Sequence, residues 1–311
     1  MVAQNALAAL LRCPACGSRL DEKPQGFVCT QCKNTYPVVR EIPRFAPQQV
    51  DEATRKTAES FGWEWTKGWN VSDRGNPTVD VEVETTTLLE KTQTKAEYFR
   101  GKLVLDAGCG MGRYSYVLRL LGAEVVALDL SDAVESAARN LRPLSGNMVV
   151  QASLFEPPLA RDSFDFIFSV GVLHHTPDAK KGFMGLVPYL KHGGDIAIWV
   201  YRKESPERER VFRSVREITL QMPYDTLLQL CQTFALVAQG PSVPKESKNR
   251  VPISEFVHEN FDWYSCALRE HFSQEEVVQW FREAGLVDIT THGYIHADGY
   301  GGAIGVKGRR P

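Results

Sequence analysis

A short apolar strand that runs into three alternating glycines constrains the fold of this chain more than any other segment. Lys102–Gly112 reads Lys-Leu-Val-Leu-Asp-Ala-Gly-Cys-Gly-Met-Gly, and its apolar run Leu103–Leu105 suits a buried parallel strand. The glycines permit a tight turn and let a ligand approach the backbone closely. Arg113–Leu121 then follows with helical periodicity. This order of strand, glycine turn and helix predicts a nucleotide-binding site at a helix N-terminus.

The spacing of the glycines separates two kinds of nucleotide site. Gly108, Gly110 and Gly112 form the pattern G-x-G-x-G, whereas the dinucleotide fingerprint places its third small residue one position later, where Arg113 stands. A second strand, predicted over Glu124–Leu128, ends in Asp129, nineteen residues after Gly110. An acidic side chain in that position can accept hydrogen bonds from both ribose hydroxyls of a nucleoside.

Three more strands are predicted further along the chain. They cover Asn147–Gln151, Ser163–Val170 and Asp195–Tyr201. A helix is expected over Ala179–Leu190, with the basic residues and glycines of Lys191–Gly194 as its stop signal. Five β/α repeats with short connectors predict a parallel sheet with right-handed crossovers. A ligand then binds at the C-terminal ends of the strands.

With these motifs the chain resembles the class I S-adenosylmethionine-dependent methyltransferases. Leu105–Gly112 is similar to their first motif, and Gly171–Asp178 (Gly-Val-Leu-His-His-Thr-Pro-Asp) is similar to the loop of their fourth motif. The resemblance implies an α/β, Rossmann-like sheet of seven strands, the seventh antiparallel. Leu286–Tyr294 and Gly301–Val306 can supply strands six and seven, after a helix Ser273–Ala284 that Ser273 caps.

The same resemblance implies S-adenosyl-L-methionine as the cofactor. The turn would hold its methionine part, Asp106 would face the ammonium group and Asp129 would bind the ribose. Ser153 stands where the family usually has an aspartate that binds the adenine, so the backbone of Ser153 and Leu154 is expected to contribute. The residues expected to contact the cofactor are Asp106, Gly108, Cys109, Gly110, Gly112, Asp129, Leu130, Ser153, Leu154 and Ser169.

Four of the seven cysteines lie close together near the start of the chain. Cys13 and Cys16 form one Cys-x-x-Cys knuckle, Cys29 and Cys32 form a second, and Arg19–Val28 between them reads as a small hairpin. This spacing predicts a tetrahedral Zn²⁺ site that is structural, because four sulfurs leave no open position. So short a segment buries too little surface to fold without the metal. Two disulfides or a redox pair are the alternative, which a reducing cytoplasm disfavours.

The predicted organisation has three parts. Residues 1–47 form the zinc ribbon, and their ending, Tyr36–Phe45, resembles the small module that precedes many methyltransferase domains. Residues 48–100 form an aromatic-rich arm that contains Trp63, Trp65 and Trp69. Its aromatic residues form either a lid over the cofactor pocket or a hydrophobic clamp that fastens the N-terminal arm to the core. Residues 101–311 form the methyltransferase domain.

That domain carries an insertion at residues 202–272, long enough to indicate a function. It reads as a charged helix over Glu204–Leu220, an apolar helix over Tyr224–Ala238 and a loop over Gly240–Pro252. The insertion is expected to cover the substrate, and the apolar helix could instead form a homodimer. The substrate candidates from the arm and the insertion are Trp63, Trp65, Asp262, Trp263 and Tyr264.

Methyl transfer is an in-line displacement in which the protein positions the acceptor and, where needed, removes its proton. His174 and His175 are the first candidates for the base because imidazole titrates near neutral pH. His174 could also simply hydrogen-bond the loop backbone. Asp262, His258 and His271 are weaker candidates, chosen because their segment can fold over the pocket.

The acceptor is predicted from charge and from missing motifs. Thirty-six basic and 38 acidic residues give a net charge of −2, which provides no general attraction to nucleic acid. The fourth motif lacks the Asn/Asp-Pro-Pro-Tyr of base-amine methyltransferases, and no cysteine has a nucleophile motif. We therefore expect a small-molecule, glycan or natural-product acceptor, methylated on oxygen or nitrogen. The alternatives are an RNA methyltransferase whose ribbon contacts RNA, and a non-catalytic interaction protein that binds the cofactor.

No membrane or targeting segment is expected. The chain has no run of 18 apolar residues, and the apolar stretch Ala6–Leu11 lacks a preceding basic residue. The expected location is the cytoplasm.

Overall fold

The first sheet lies near the start of the chain. The structure is a computed structural model that describes residues 6–47, 49–68, 80–239, 253–295 and 301–311. Four antiparallel strands pair in chain order: β1 (Leu20–Lys23), β2 (Gly26–Cys29), β3 (Thr35–Val39) and β4 (Ile42–Pro43). The hairpin predicted over Arg19–Val28 is the β1–β2 pair.

Two helices follow in residues 48–100, where the sequence predicts only an aromatic-rich arm. They are α1 (Glu52–Trp63), which continues into a π-helical turn over Glu64–Gly68, and α2 (Val81–Thr92). Asp51 caps the first by accepting from the Thr54 N–H, and Asp80 caps the second in the same way. An aspartate just before each helix is the sequence signal that could have predicted where the two helices begin. Trp69 lies outside the described residues.

The second sheet has the predicted class I topology. Its strand order is β10-β11-β9-β8-β5-β6-β7, with β11 antiparallel to both neighbours and every other described pair parallel. The strands are β5 (Leu103–Ala107), β6 (Glu124–Asp129), β7 (Asn147–Gln151), β8 (Phe164–Val170), β9 (Leu190–Tyr201), β10 (Val287–Tyr294) and β11 (Ala303–Arg309). The fold prediction is confirmed.

Two details of the core differ from the prediction. The helices between the parallel strands are α3 (Arg113–Leu120), α4 (Val134–Leu141) and α5 (Ala179–Leu186), so the fully described connection from β7 to β8 contains no α-helix. The helix predicted over Ala179–Leu190 ends at Leu186, because Pro188 follows and cannot continue it. Lys191–Gly194, predicted as its stop signal, lie inside β9.

The insertion is helical. It contains α6 (Pro206–Thr219), α7 (Tyr224–Gln239) and α8 (Ile253–Ser265), and the last of these was not predicted. Leu227, Cys231 and Ala235 of α7 are buried against Val257 and Phe261 of α8. The predicted loop Gly240–Pro252 lies outside the described residues.

The chain then returns to the sheet through α9 (Gln274–Glu283). Ser273 and Glu276 form the expected capping box at its start. Across the described residues, no helix is both long and apolar enough to span a membrane.

The cysteine-rich sheet is fastened to the edge of the large sheet. Arg44 forms a parallel bridge with Gln151 at the end of β7, and the Phe45 N–H donates to the Gln151 carbonyl at 2.7 Å. The Arg44 side chain also pairs with Glu135 on α4. Phe27 and Phe45 are buried in the same apolar cluster as β6 and β7. The small sheet therefore covers an edge strand that would otherwise expose unpaired backbone groups.

Candidate active site and candidate metal centre

The glycine turn joins β5 to α3. Gly108, Gly110 and Gly112 all have positive φ (96°, 52° and 79°), a conformation that side chains with a Cβ disfavour. A Cβ at Gly108 would lie 2.3 Å from Val172 Cγ2, so the turn packs directly against the loop after β8. A Cβ at Gly112, the N-cap of α3, would lie 3.2 Å from Ala137 on α4. The glycine therefore allows α3 and α4 to pack closely.

Asp129, the last residue of β6, is held beside this turn. Its Oδ2 accepts the Gly110 N–H at 2.8 Å, and its Oδ1 accepts both the N–H and the hydroxyl of Ser131 at 2.8 and 2.7 Å. Burial raises the pKa of Asp129, while these hydrogen bonds act in the opposite direction. The structure thus brings the predicted glycine turn and the predicted ribose acid together.

A cavity of about 1160 Å³ opens in front of the turn. It runs from the ends of β5, β6 and β8 to side chains of α1, α2 and the insertion. The predicted cofactor residues that line it are Gly108, Cys109, Gly110, Asp129, Leu130, Ser153 and Leu154.

The other three predicted cofactor residues lie behind the cavity wall. Asp106 is 2% exposed and accepts the Ser115 hydroxyl at 2.7 Å. Burial raises the pKa of Asp106 to about 7. Ser169 is fully buried, and its hydroxyl donates to the Ala107 carbonyl at 2.8 Å. Asp106 and Ser169 are thus buried beside the turn, and Gly112 packs against α4. All three support the turn and none lines the cavity.

The aromatic arm divides between the two roles that its sequence allowed. Trp65 lines the cavity, with its indole nitrogen 3.3 Å from where a Cβ at Gly110 would lie. Trp63 does not line the cavity. Its ring lies 5.2 Å from Phe261 and 5.6 Å from Tyr224, which fastens α1 to the insertion. The remaining substrate candidates, Asp262, Trp263 and Tyr264, all line the cavity from α8.

His175 is among the residues that line this cavity. Its side chain is 3% exposed, and Nδ1 lies 2.9 Å from the Leu268 carbonyl oxygen. A carbonyl only accepts, so Nδ1 carries the proton and Nε2 carries a lone pair. Among the described residues Nε2 has no hydrogen bond, and it lies 3.9 Å from Oδ1 of Asp262. Burial lowers the pKa of His175 to about 3, so its ring is neutral at physiological pH.

The other histidine candidates have different surroundings. His174 is fully buried outside the cavity lining, with its ring 3.8 Å from that of Tyr201, and burial holds its pKa well below the usual value. His271 also lies outside the lining and contacts Arg269 at 3.0 Å. His258 lines the cavity and is 2.8 Å from the Glu64 carboxylate.

Sequence reasoning missed two residues beside this site. Glu64 is 0% exposed, and burial together with the nearby Asp262 raises its pKa well above the usual value. An acid within the aromatic string Phe61–Trp65 was its only signal. Tyr201 donates its hydroxyl to Asp262 Oδ2 at 3.3 Å. Tyr201 is the last residue of β9, and sheets of this kind bind ligands at the C-terminal ends of their strands.

The four clustered cysteines converge at the other end of the chain. Their Sγ atoms all lie within 4.8 Å of one another, with 3.5 Å between Cys13 and Cys32 and 3.4 Å between Cys16 and Cys29. A tetrahedral zinc site with about 2.3 Å Zn–S bonds needs sulfurs about 3.8 Å apart, so the donor set fits the metal. Hydrogen bonds from Ser18 lower the pKa of Cys16 to about 6, whereas burial and the neighbouring cysteines raise the pKa of Cys32 to about 12.

Comparison with known proteins agrees with the geometry of the large sheet. Residues 105–198 match the model of a family described as a methyltransferase domain. The chain is 35% identical over 115 residues to a malonyl-[acyl-carrier protein] O-methyltransferase of Enterobacter lignolyticus, covering 37% of this chain and 45% of that protein. It is 33% identical over 124 residues to a tRNA U34 carboxymethyltransferase of Pseudomonas aeruginosa, covering 39% and 38%. The chain thus spans less than half the length of these two relatives.

A solved structure with the same fold is phosphoethanolamine N-methyltransferase 2 of Haemonchus contortus in complex with S-adenosyl-L-methionine. The TM-score is 0.50 at 16% identity, and the match covers 86% of this chain and 62% of that one.

Proposed function

We propose that this chain is an S-adenosyl-L-methionine-dependent methyltransferase that acts on an oxygen or nitrogen atom of a small-molecule acceptor. The observation that carries the proposal is the position of Asp129. Its carboxylate is fixed beside Gly110 and opens into the same cavity as the acidic and aromatic side chains of the insertion. One cavity can therefore hold both a nucleoside and a second molecule.

The residues that would hold the cofactor are those of the turn and of the next two strand ends. Gly108–Met111 offer close backbone approach, Asp129 offers the ribose contact, and Ser153 and Leu154 offer backbone groups for the base. When bound, the cofactor supplies an electrophilic methyl group on a positively charged sulfur. Among the described residues, five carboxylates and two Lys or Arg side chains line the cavity, and this excess of negative charge favours a cationic ligand: Asp51, Glu84, Asp129, Glu259 and Asp262, against Lys91 and Arg113.

A small acceptor is supported by the composition of the outer wall. Tyr201, Phe212, Trp263 and Tyr264 form an aromatic surface suited to a compact organic molecule. None of the described residues 6–47 lines the cavity, so the ribbon is placed to stabilise the β7 edge. We also propose that Cys13, Cys16, Cys29 and Cys32 bind one structural zinc. The proposed location is the reducing cytoplasm, where clustered cysteines are more often metal ligands than disulfides.

The proposal predicts a specific cofactor defect. Calorimetry should show S-adenosylhomocysteine binding to the wild-type chain, and Asp129→Ala should weaken it by at least about tenfold, because a charge-assisted hydrogen bond contributes roughly 1.5–3 kcal/mol. Asp132→Ala is the matched control, since this nearby aspartate is exposed and does not line the cavity. Absence of binding to the wild-type chain would contradict the methyltransferase proposal.

The acceptor class is tested by RNA binding. One similar protein is a tRNA U34 carboxymethyltransferase, so binding of bulk tRNA should be measured by filter retention across a salt series. We expect weak retention with little salt dependence. Tight binding that falls steeply with salt would replace the small-molecule acceptor with RNA.

A further inference from the structure

We infer that the acceptor carries a carboxylate group, which Lys91 and the Thr87 hydroxyl bind on the side of the cavity away from Asp129. The inference rests on the proposed function and names the substrate class of the same cavity. It follows from the position of one cationic side chain, from the ionic groups around it and from its place relative to the predicted cofactor site.

The first observation is where Lys91 lies. Thr87 and Lys91 are four residues apart on α2, so they share one face of the helix, and both line the cavity. Lys91 Nζ lies 5.7 Å from the centre of the Trp199 ring and 3.5 Å from the Tyr114 hydroxyl, and these two residues line the cavity as well. Lys91 is partly exposed. Its ammonium group is therefore within reach of a ligand.

The second observation is the ionic surroundings of this lysine. Arg113, the other Lys or Arg side chain of the described cavity lining, is 3.5 Å from the Glu84 carboxylate. Within the described ranges Lys91 forms no ion pair with a carboxylate. A ligand that fills the cavity displaces water from the ammonium group, and a desolvated charge is costly without a partner of opposite charge. A ligand that supplies an anionic oxygen at this point is therefore favoured.

The third observation separates Lys91 from the predicted cofactor site. Asp129 ends β6, whereas Trp199 belongs to β9, three places away in the order β9-β8-β5-β6. Neighbouring strands are about 4.8 Å apart, so these two strands lie roughly 14 Å from each other. The glycine turn lies between them, and Arg113, the first residue of α3, is the cation beside that turn. Lys91 is consequently placed for the second molecule.

The balance of charge favours a carboxylate over a phosphate. A carboxylate carries one negative charge, whereas a phosphate monoester carries about 1.5–2 at neutral pH. Lys91 offers a single positive charge, and the carboxylates of Glu84, Glu259 and Asp262 line the same cavity. The second charge of a phosphate would meet this excess of acid. The two oxygens of a carboxylate can accept from the Lys91 ammonium and the Thr87 hydroxyl.

The neighbouring wall accommodates the rest of the acceptor. Trp199 and Tyr201 are two residues apart on β9, so their side chains point to the same face of the sheet. Both line the cavity, as does Trp263, whose ring lies 5.8 Å from that of Tyr201. The glycine turn follows β5, two strands or about 10 Å from β9. The carboxylate is therefore an anchor that orients the acceptor, and another atom receives the methyl group.

The test uses the full chain, tritiated S-adenosylmethionine and a low-molecular-weight ultrafiltrate of the cells that make the chain. One portion of the ultrafiltrate is untreated, one has its carboxylates amidated with a carbodiimide and methylamine, and one is treated with alkaline phosphatase. We expect labelled product in the untreated portion, at least about tenfold less after amidation, and no more than about a twofold change after phosphatase.

Each other result overturns a defined part of the argument. Equal labelling after amidation overturns the carboxylate while keeping the methyltransferase, and loss of labelling after phosphatase replaces the carboxylate with a phosphate. Label that mild alkali releases as methanol shows that the carboxylate itself is methylated, which overturns its role as an anchor. No labelling, together with no binding of S-adenosylhomocysteine, overturns the proposed function itself.

Matched variants assign the effect to Lys91. Lys91→Met keeps a long side chain but removes the charge, and it should reduce labelling in dilute ultrafiltrate by at least about tenfold. Lys91→Arg keeps the charge and should retain at least about a third of the labelling. Lys95→Met, which removes an exposed lysine outside the cavity lining, should match the wild type. Equal labelling by Lys91→Met and the wild type would overturn the inference.

The same variants separate the acceptor from the cofactor. We expect S-adenosylhomocysteine affinity, measured by calorimetry, to stay within about threefold of the wild-type value in Lys91→Met. A loss of tenfold or more would assign Lys91 to the cofactor and overturn the acceptor site.

A protection experiment does not depend on turnover. The chain with bound S-adenosylhomocysteine is acetylated with sulfo-N-hydroxysuccinimide acetate, and the modified lysines are quantified by mass spectrometry. The untreated ultrafiltrate should slow acetylation of Lys91 at least about threefold relative to Lys95, and the amidated ultrafiltrate should not. Equal acetylation of Lys91 with and without the untreated ultrafiltrate would contradict a carboxylate bound at this lysine.

Discussion

At the scale of single residues, the structure separates side chains that face ligand space from those that hold them in place. Asp106 precedes the glycine turn in β5, and Asp129 at the end of β6 lies beside the same turn. Only Asp129 lines the cavity. Asp106 is buried behind it and bonded to Ser115. Such a buried acid lowers the stability of the folded chain when it ionises. The glycine turn is therefore built around a group whose charge a cationic ligand would favour.

Asp106 gives a pH-dependent stability prediction. Burial raises the pKa of Asp106 to about 7 from 3.8, so between these values the folded chain binds a proton that the unfolded chain lacks. Its stabilising contribution is full below the unfolded pKa and is lost as pH rises through the folded pKa. Asp106→Asn should therefore raise the free energy of unfolding at pH 8, by up to roughly 4 kcal/mol, and change it little at pH 4.

Urea titrations of the ligand-free chain at both pH values measure this difference. Ser115 can still donate to the asparagine oxygen, so the comparison isolates the charge. An equal effect of the substitution at pH 4 and pH 8 would show that the carboxyl group does not titrate in this range.

At the scale of elements, we predict that the cysteine ribbon depends on a metal and on the edge of the large sheet. Its four strands are short and only a few of their side chains are buried, so its own core is small. Phe27 and Phe45 place part of their apolar surface in the core of β6 and β7 instead. The ribbon should consequently unfold locally when its metal is lost, while the large sheet remains folded.

Metal analysis and proteolysis test this dependence. The wild type should contain about one zinc per chain, and Cys29→Ser should lose it and become sensitive to protease within residues 1–47. Cys231→Ser is the control, because Cys231 is buried between α7 and α8, far in sequence from the ribbon. Zinc retained at full content in Cys29→Ser would contradict the four-sulfur site.

At the scale of the whole molecule, the cavity is shared by three parts of the chain. The large sheet supplies the glycine turn, the π-helical turn after α1 supplies Trp65, and α8 supplies Asp262. The last two parts are tied together by the Ser60–Ser265 hydroxyl pair at 2.7 Å and by the Leu268 N–H donating to the Thr57 hydroxyl at 2.9 Å. A ligand in the cavity should therefore stabilise all three parts.

Hydrogen exchange detects this coupling. Binding of S-adenosylhomocysteine should slow exchange in residues 57–65 and 258–268 as well as in the turn, since Trp65 lies against Gly110 and packs edge-on to His258 at 5.0 Å. Ser265→Ala should reduce the protection of residues 258–268 by several-fold. Protection confined to the glycine turn and the strand ends would show that the arm and the insertion do not respond to the ligand.

The sequence by itself determined the class of fold, and it predicted two motif-based sites. Glycine spacing, strand periodicity and an acid after the second strand are local patterns, and local patterns specify local geometry. Two Cys-x-x-Cys knuckles likewise specify a cluster because each knuckle is a tight turn. The domain boundaries at 47 and 100 remain predictions.

Only the tertiary structure decided which residues share the cavity. Trp63 and Trp65 are two positions apart, yet one packs in the insertion and the other lines the cavity, because α1 ends and a π-helical turn begins between them. His174 and His175 are adjacent, yet only His175 meets Asp262, which lies on a helix that the sequence did not predict. Such pairs depend on how elements distant in the sequence pack together, and local sequence patterns do not predict that packing. The physical reason is that a side chain's direction depends on its own element, whereas its neighbours depend on the whole fold.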